Sequence, residues 1–167
     1  MEMGAQLAGA VEGAQPLAAT KGITLVMDPP VEPCLVIGDA HLLARVVENL
    51  LDNALRRTPE GERIEVRWPR QSVCMVTTVT DSGSGIAQQE LPHLFTALYR
   101  GETSRNRRTG GAGLGLTIAQ RIIRAHGGDL TAANNSTGGA VFTPTDHAMH
   151  TSGRVPDLVS AGSSTRR

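Results

Sequence analysis

Between Asp39 and Gly61 the sequence leaves the chain little conformational choice. Leu42, Leu43, Val46, Val47, Leu50, Leu51 and Ala54 recur at helical spacing, which predicts one long helix with a continuous apolar face. Asp39 stands where a side-chain oxygen can accept the orphan N–H groups of a first turn. Thr58-Pro59-Glu60-Gly61 supplies the stop. A helix this one-sided must lay its apolar face on another layer.

Strand-like runs for that layer lie on both sides. Ile23 to Met27 and Cys34 to Ile37 precede the helix, separated by Asp28-Pro29-Pro30. Arg63 to Trp68 and Val73 to Thr80 follow it, the second running into Asp81-Ser82-Gly83-Ser84-Gly85-Ile86. A short helical stretch is expected from Leu91 to Tyr99, then a polar, basic and Gly-containing loop over 100–112. A second helix is expected from about Leu114 to Ala125, ended by His126-Gly127-Gly128 in the manner of a glycine cap. Short strands are expected at Asp129 to Ala133 and Ala140 to Thr143. Met3, Leu7, Ala10 and Ala14 form a heptad-like stripe that Pro16 interrupts. Beyond Pro144 the chain is polar, Gly/Ser-rich and aperiodic, and reads as a disordered tail.

Bulk properties exclude several classes. Acidic and basic residues balance to a net charge of zero, which disfavours a sequence-independent nucleic-acid binder. No run approaches the ~20 apolar residues needed to span a membrane. Cys34 and Cys74 are far apart, without CxxC spacing, and read as buried thiols, in keeping with a reducing compartment. Aromatics are scarce, so the core must come from Leu, Val, Ile and Ala.

The chemistry sits in short segments. Asn49 and Asn53 are four apart and lie one above the other on the polar face of the first helix, with Arg56 a turn further on. Amide oxygens suit a Mg²⁺ ion that keeps water and touches phosphate, and an arginine suits phosphate itself. The same face is equally a solvated one when taken alone. Asp81, where a strand becomes a glycine turn, can accept a hydrogen bond from an exocyclic amino group, and Gly83 and Gly85 let a flat ligand approach the backbone; Asp and Gly are also ordinary turn residues. Gly110-Gly111-Ala112-Gly113-Leu114-Gly115-Leu116 leads into a helix, where unpaired amides and the helix dipole favour an anion. It is neither a GxxxxGK[ST] loop nor a dinucleotide fingerprint, since Leu116 stands where the third glycine should be. Arg100, Arg105, Arg107 and Arg108 lie between; such a charge run is usually just solvated, and beside a glycine phosphate loop it is also what a closing lid would need.

In this order the segments resemble the catalytic domain of sensor histidine kinases, a branch of the GHKL superfamily. Glu48-Asn49-Leu50-Leu51-Asp52-Asn53-Ala54 is similar to the N box and Asp81 to Ile86 to the G1 box. Leu94-Phe95-Thr96-Ala97-Leu98-Tyr99-Arg100-Gly101 is similar to the F box, Gly111 to Leu116 to the G2 box, and His126-Gly127-Gly128 with Gly138-Gly139 to the closing segment. The match runs from about residue 17 to 143. It implies an α+β fold, a two-layer sandwich of the Bergerat type with a mixed sheet and helices on one face. It implies ATP and Mg²⁺ as ligands. Asn53 would ligate the metal, with Asn49 and Arg56 by the phosphates and Asp81 on the adenine amino group. Gly83, Gly85 and Ile86 would shape the base pocket; Arg100, Gly111, Gly113, Leu114, Gly115 and Leu116 would form the lid and phosphate cradle. The implied division is 1–16 as remnant of a dimerisation helix, 17–144 as catalytic domain and 145–167 as tail.

Several positions depart from the pattern. Arg57 stands where an aromatic residue or His is common, and its guanidinium can stack on adenine instead. Thr96-Ala97 alters the F box, and Pro144 cuts into the expected last strand. None of His41, His93, His126, His147 or His150 is followed by Glu or Asp, the setting of the family's phosphoacceptor, so the chain reads as a fragment acting on a histidine elsewhere. The implied partners are a dimerisation domain and, downstream, a response regulator, with no nucleic acid. The implied location is the cytoplasm, with an intact parent anchored in the inner membrane. Relatives that hydrolyse ATP carry a Glu four residues before the metal-binding Asn; here that residue is Asn49, and Glu48 points about 100 degrees away. Two other readings stay open at this level. One is a nucleotide-binding remnant acting through a partner, the other a GHKL serine kinase of a regulatory protein. His147 and His150 near Asp146 read as accidental spacing rather than a metal site.

Overall fold

The computed structural model describes residues 4–28, 38–67, 78–98, 113–136 and 138–146. The expected strand at Cys34 to Ile37, most of Val73 to Thr80, the arginine loop, Arg100, Gly111 and the tail from His147 lie outside the described residues.

The long helix forms as its sequence requires. This helix, α2 (Ala40–Arg57), follows α1 (Gly4–Thr20) and β1 (Thr24–Met27) in the chain. Asp39 Oδ1 accepts the N–H groups of His41 and Leu42 at 2.9 and 3.2 Å. At the other end the Thr58 hydroxyl donates to Ala54 C=O at 2.7 Å, and Arg56 and Arg57 sit favourably in the last turn of the helix dipole. Leu43, Val46, Val47, Leu50, Leu51, Ala54 and Leu55 are buried. Leu42, expected on this face, is 45% exposed in the first turn, and Leu55 completes the face instead.

The sheet has the order β1-β2-β3-β5-β4, with β2 (Arg63–Arg67), β3 (Thr78–Asp81), β4 (Gly128–Asn134) and β5 (Ala140–Asp146). β1 and β2 are parallel and the other neighbours antiparallel, so the sheet is mixed. A parallel pair needs a long crossover, which α2 supplies. Helix α3 (Gly115–Ala125) packs beside α2 and over β4, and α1 packs against α2 and β1. The far face carries Arg63 and Arg67, both paired to Glu65, at 2.5 and 2.7 Å. The fold is therefore α+β, a mixed sheet layered with helices, as expected. Phe142, 1% exposed, is the largest fully buried side chain among the described residues, in a core whose other buried members are aliphatic.

Three expectations meet a different structure. Residue 16, expected to end the first segment, lies inside a helix. Helix α1 continues through Pro16 to Thr20 and places Leu7, Ala10, Val11 and Ala18 in the same core as the sheet. Of the stripe read as a dimerisation remnant, Leu7 and Ala10 are buried in that core and Ala14 packs against it. Pro144 does not cut the last strand either: β5 runs through it to Asp146, with buried Pro144 opposite Leu130. Between Glu90 and Leu98, a 3-10 turn at Leu91–His93 replaces the expected helix, and Leu98 takes a φ of 63°. No helix among the described residues is long and apolar enough to cross a membrane.

Candidate functional site

Strand alternation places one residue where its chemistry is least welcome. Along β3, Val79 and Asp81 are the inward positions, and Asp81 pairs with Ile64 on the neighbouring strand. Its side chain is buried, with only 2% of the residue exposed. A buried carboxylate is costly unless it is hydrogen-bonded. One oxygen is satisfied: Oδ1 accepts the N–H of Gly83 at 3.0 Å and that of Ala140 at 3.2 Å. The other, Oδ2, is buried with no partner. Burial holds the Asp81 carboxyl above the ordinary carboxylate range, against the opposing pull of the two amides and the nearby Arg57 guanidinium. The site thus contains an acceptor waiting for a donor.

The glycine turn after Asp81 is shaped by the protein as much as by any ligand. A Cβ on Gly83 would meet Asp81 Oδ1 at 3.2 Å and the Arg57 carbonyl at 3.3 Å. Gly85 has a φ of 73°, and the space beside it is taken by Asn134 Oδ1. Arg57 donates through Nη2 to the Gly85 carbonyl at 2.6 Å, which ties the edge of its guanidinium to the turn. Ile86 turns its side chain into the core, 3% exposed.

Three more segments converge from α2, the F-box stretch and α3. The amide nitrogens of Asn49 and Asn53 are buried without partners. A half turn about the last torsion exchanges oxygen and nitrogen, so each can present an acceptor to a cation or a donor to a phosphate. A Cβ on Gly115 would lie 3.3 Å from Asn49 Oδ1, which puts the start of α3 against Asn49. No side chain caps that start, whose N-cap is the 38%-exposed Leu114, while Leu116 packs on the core. Gly113, with a φ of 70°, accepts from Leu98 N–H at 3.2 Å, and the Thr117 hydroxyl donates to Phe95 C=O at 3.0 Å. Arg56 pairs with Asp52 at 2.5 Å and Glu48 with Arg45 at 3.0 Å, both toward solvent.

Sequence reasoning missed Asn134, Gly139 and Ala140. Gly139, φ 83°, packs so tightly under Asp81 that a Cβ would collide with the Asp81 carbonyl oxygen. The Gly138-Gly139 pair carried a signal for this. Asn134 carried none.

Residues 38–145 match the family described as histidine kinase-, DNA gyrase B-, and HSP90-like ATPase. Over 125 residues the chain is 37% identical to the signal transduction histidine-protein kinase BaeS of Escherichia coli K12, covering 75% of this chain and 27% of BaeS. Over 107 residues it is 41% identical to the sensor histidine kinase CusS of Escherichia coli O157:H7, covering 64% of this chain and 22% of CusS. The chain thus spans about a quarter of the length of these curated relatives. Among solved structures, the mycobacterial sensor histidine kinase MprB superposes with a TM-score of 0.71 at 28% identity, covering 87% of this chain and 97% of that one.

Proposed function

This chain belongs to the family of histidine kinase-, DNA gyrase B- and HSP90-like ATPases, and from that premise we propose that it is the ATP-binding catalytic domain of a two-component sensor histidine kinase. It transfers the γ-phosphoryl group of Mg-ATP to a histidine on a separate dimerisation domain. The observation that carries this reading is the asymmetry of Asp81, one oxygen accepting two hydrogen bonds and the other buried and unpaired. The exocyclic amino group of adenine supplies the missing donor. Guanine presents a carbonyl at that place and would leave two acceptors facing each other.

The remaining roles follow from the residues around it. Asn53 holds Mg²⁺ through its amide oxygen, and Asn49 lies beside the phosphates; their buried, unpartnered nitrogens support a ligand at this spot. The uncapped start of α3, with Gly113 and Gly115, receives phosphate oxygens, and Arg56 serves at the rim by exchanging its solvent-side Asp52 partner for phosphate. Bound Mg²⁺ supplies neutralisation of phosphate charge. The bond from the γ-phosphorus to its bridging oxygen breaks as one to an imidazole nitrogen forms, a reaction that asks for positioning and charge more than covalent help. Glu48 and Asp52, the carboxylates on this stretch of α2, face outward and hold Arg45 and Arg56. Asn49 cannot take a proton. Both facts favour transfer over hydrolysis. From that histidine the phosphoryl group passes to a response regulator, on the cytoplasmic side where ATP is.

The test is incubation of the purified chain with Mg-ATP and a separately made dimerisation domain. Acid-labile phosphohistidine on that domain is the expected product. ATP binding without transfer would instead point to a binding module, and acid-stable phosphoserine on a regulatory protein to a serine kinase.

A further inference from the structure

Asn134, at the end of β4, is joined to Ile86 by both ends of its amide. Its Oδ1 accepts the Ile86 N–H at 2.7 Å, and its Nδ2 donates to the Ile86 carbonyl at 2.8 Å. A side-chain amide that engages both polar groups of one residue fixes that residue as a neighbouring strand would. Gly85 makes the room. A Cβ there would lie 2.8 Å from Asn134 Oδ1, so any larger residue would push the amide away. Arg57, from the last turn of α2, donates to the Gly85 carbonyl. Gly85 and Ile86 are therefore gripped between β4 and the end of α2.

The grip bears on Asp81 through the turn. Gly83 N–H is one of the two donors on Asp81 Oδ1, and that bond helps keep Oδ2 in its unpaired direction. A turn free to drift would carry the Gly83 amide off Oδ1 and let the carboxylate rotate. We propose that Asn134 is a positioning residue for base recognition: it locks the Gly83–Ile86 turn so that Asp81 faces the exocyclic amino group, and thereby sets the preference for adenine over guanine. The inference rests on the nucleotide reading of the site given above.

A residue of merely structural importance would weaken all ligands alike. A positioning residue weakens ATP and leaves GTP, which gains nothing from Asp81, nearly untouched. In calorimetric titrations of the full chain, Asn134→Ala should bind Mg-ATP about ten-fold more weakly, with Mg-GTP little changed. The Ile86 amide should exchange faster with solvent deuterium while that of Leu50, deep in α2, stays protected. Asn134→Asp keeps an acceptor for Ile86 N–H but sets a carboxylate oxygen against the Ile86 carbonyl, so it should weaken Mg-ATP binding at least as far; if the alanine variant proves unfolded, the aspartate variant carries the same comparison. Gly85→Ala should cost more ATP affinity in the wild type than in the Asn134→Ala background, where the added methyl no longer meets the amide. A wild-type chain that fails to bind Mg-ATP, or binds both nucleotides equally, overturns the nucleotide reading and this inference with it. A wild type that prefers ATP, with both Asn134 variants keeping the same ratio, overturns this inference alone.

Discussion

The backbone N–H of Ala140 donates to Oδ1 of Asp81 across 3.2 Å, a bond between residues 59 positions apart. It joins β3 to the start of β5, and together with Gly83 N–H it occupies one carboxylate oxygen fully. The other oxygen is thereby left as the directional element of the site.

Replacing that carboxylate should separate binding from folding. Asp81→Ala removes a charge-assisted bond of ~1.5–3 kcal/mol, or about 10- to 150-fold in Mg-ATP affinity. Asp81→Asn is the sharper probe. Its amide oxygen can still accept from Gly83 and Ala140, while an NH₂ group takes the place of Oδ2 and opposes the adenine donor. ATP binding should fall as far as in the alanine variant, with the circular dichroism spectrum retained. Asparagine binding ATP as well as the wild type would remove Asp81 from the base pocket.

The same residue predicts opposite pH trends for stability and affinity. Burial raises the folded-state pKa of Asp81 above that of the unfolded chain, so the folded form binds the proton more readily. Its contribution to stability therefore falls as pH rises from the ordinary carboxylate range through the raised folded value. Affinity runs the other way, because the amino group is best accepted by the ionised carboxylate. Urea unfolding across that window should show the wild type losing stability relative to Asp81→Asn as pH rises, while wild-type ATP affinity increases. A difference in stability that does not change with pH would contradict the assignment.

Much of this was legible in the sequence, for reasons that differ by residue. Helix α2 could be read because cap, periodicity and stop agree, and Asp81 because a carboxylate at a strand-to-glycine junction is conspicuous. Pro16 misled because an interior proline costs a helix about 3 kcal/mol. The docking of Leu7, Val11 and fully buried Ala18 on the core carries α1 past it. Asn134 was invisible because a polar residue at a strand end has no periodic signature, and its partner lies 48 positions away. Arg57 was noticed as a residue for the base, but its hydrogen bond to the Gly85 carbonyl, 28 positions away, has no sequence signature.

Two glycines with similar backbones should respond very differently to alanine. Gly61 and Gly139 have φ of 84° and 83°. Gly61 has open space where a Cβ would go, whereas Gly139 lies against Asp81. Gly61→Ala should cost only the left-handed backbone term, about 1–2 kcal/mol. Gly139→Ala adds overpacking of roughly 1–3 kcal/mol or more on top of that term. It should also displace the Asp81 strand end and weaken ATP. Chemical denaturation of both variants checks the difference; equal losses would mean that Gly139 serves its φ alone.

The asparagine pair predicts how metal and nucleotide are coupled. Asn53→Ala removes an amide whose nitrogen is buried and unbonded, so no internal hydrogen bond of that nitrogen is lost and stability should change little. What should vanish is the gain in ATP affinity on adding Mg²⁺, while metal-free binding, carried by Asp81, remains. Asn53→Asp keeps an oxygen ligand and adds a charge, so its Mg²⁺-dependent gain should persist. ATP titrations at a series of Mg²⁺ concentrations distinguish the cases. An alanine variant that tightens with Mg²⁺ as the wild type does would move the metal ligand elsewhere, with Asn49, against the start of α3, the next residue to test.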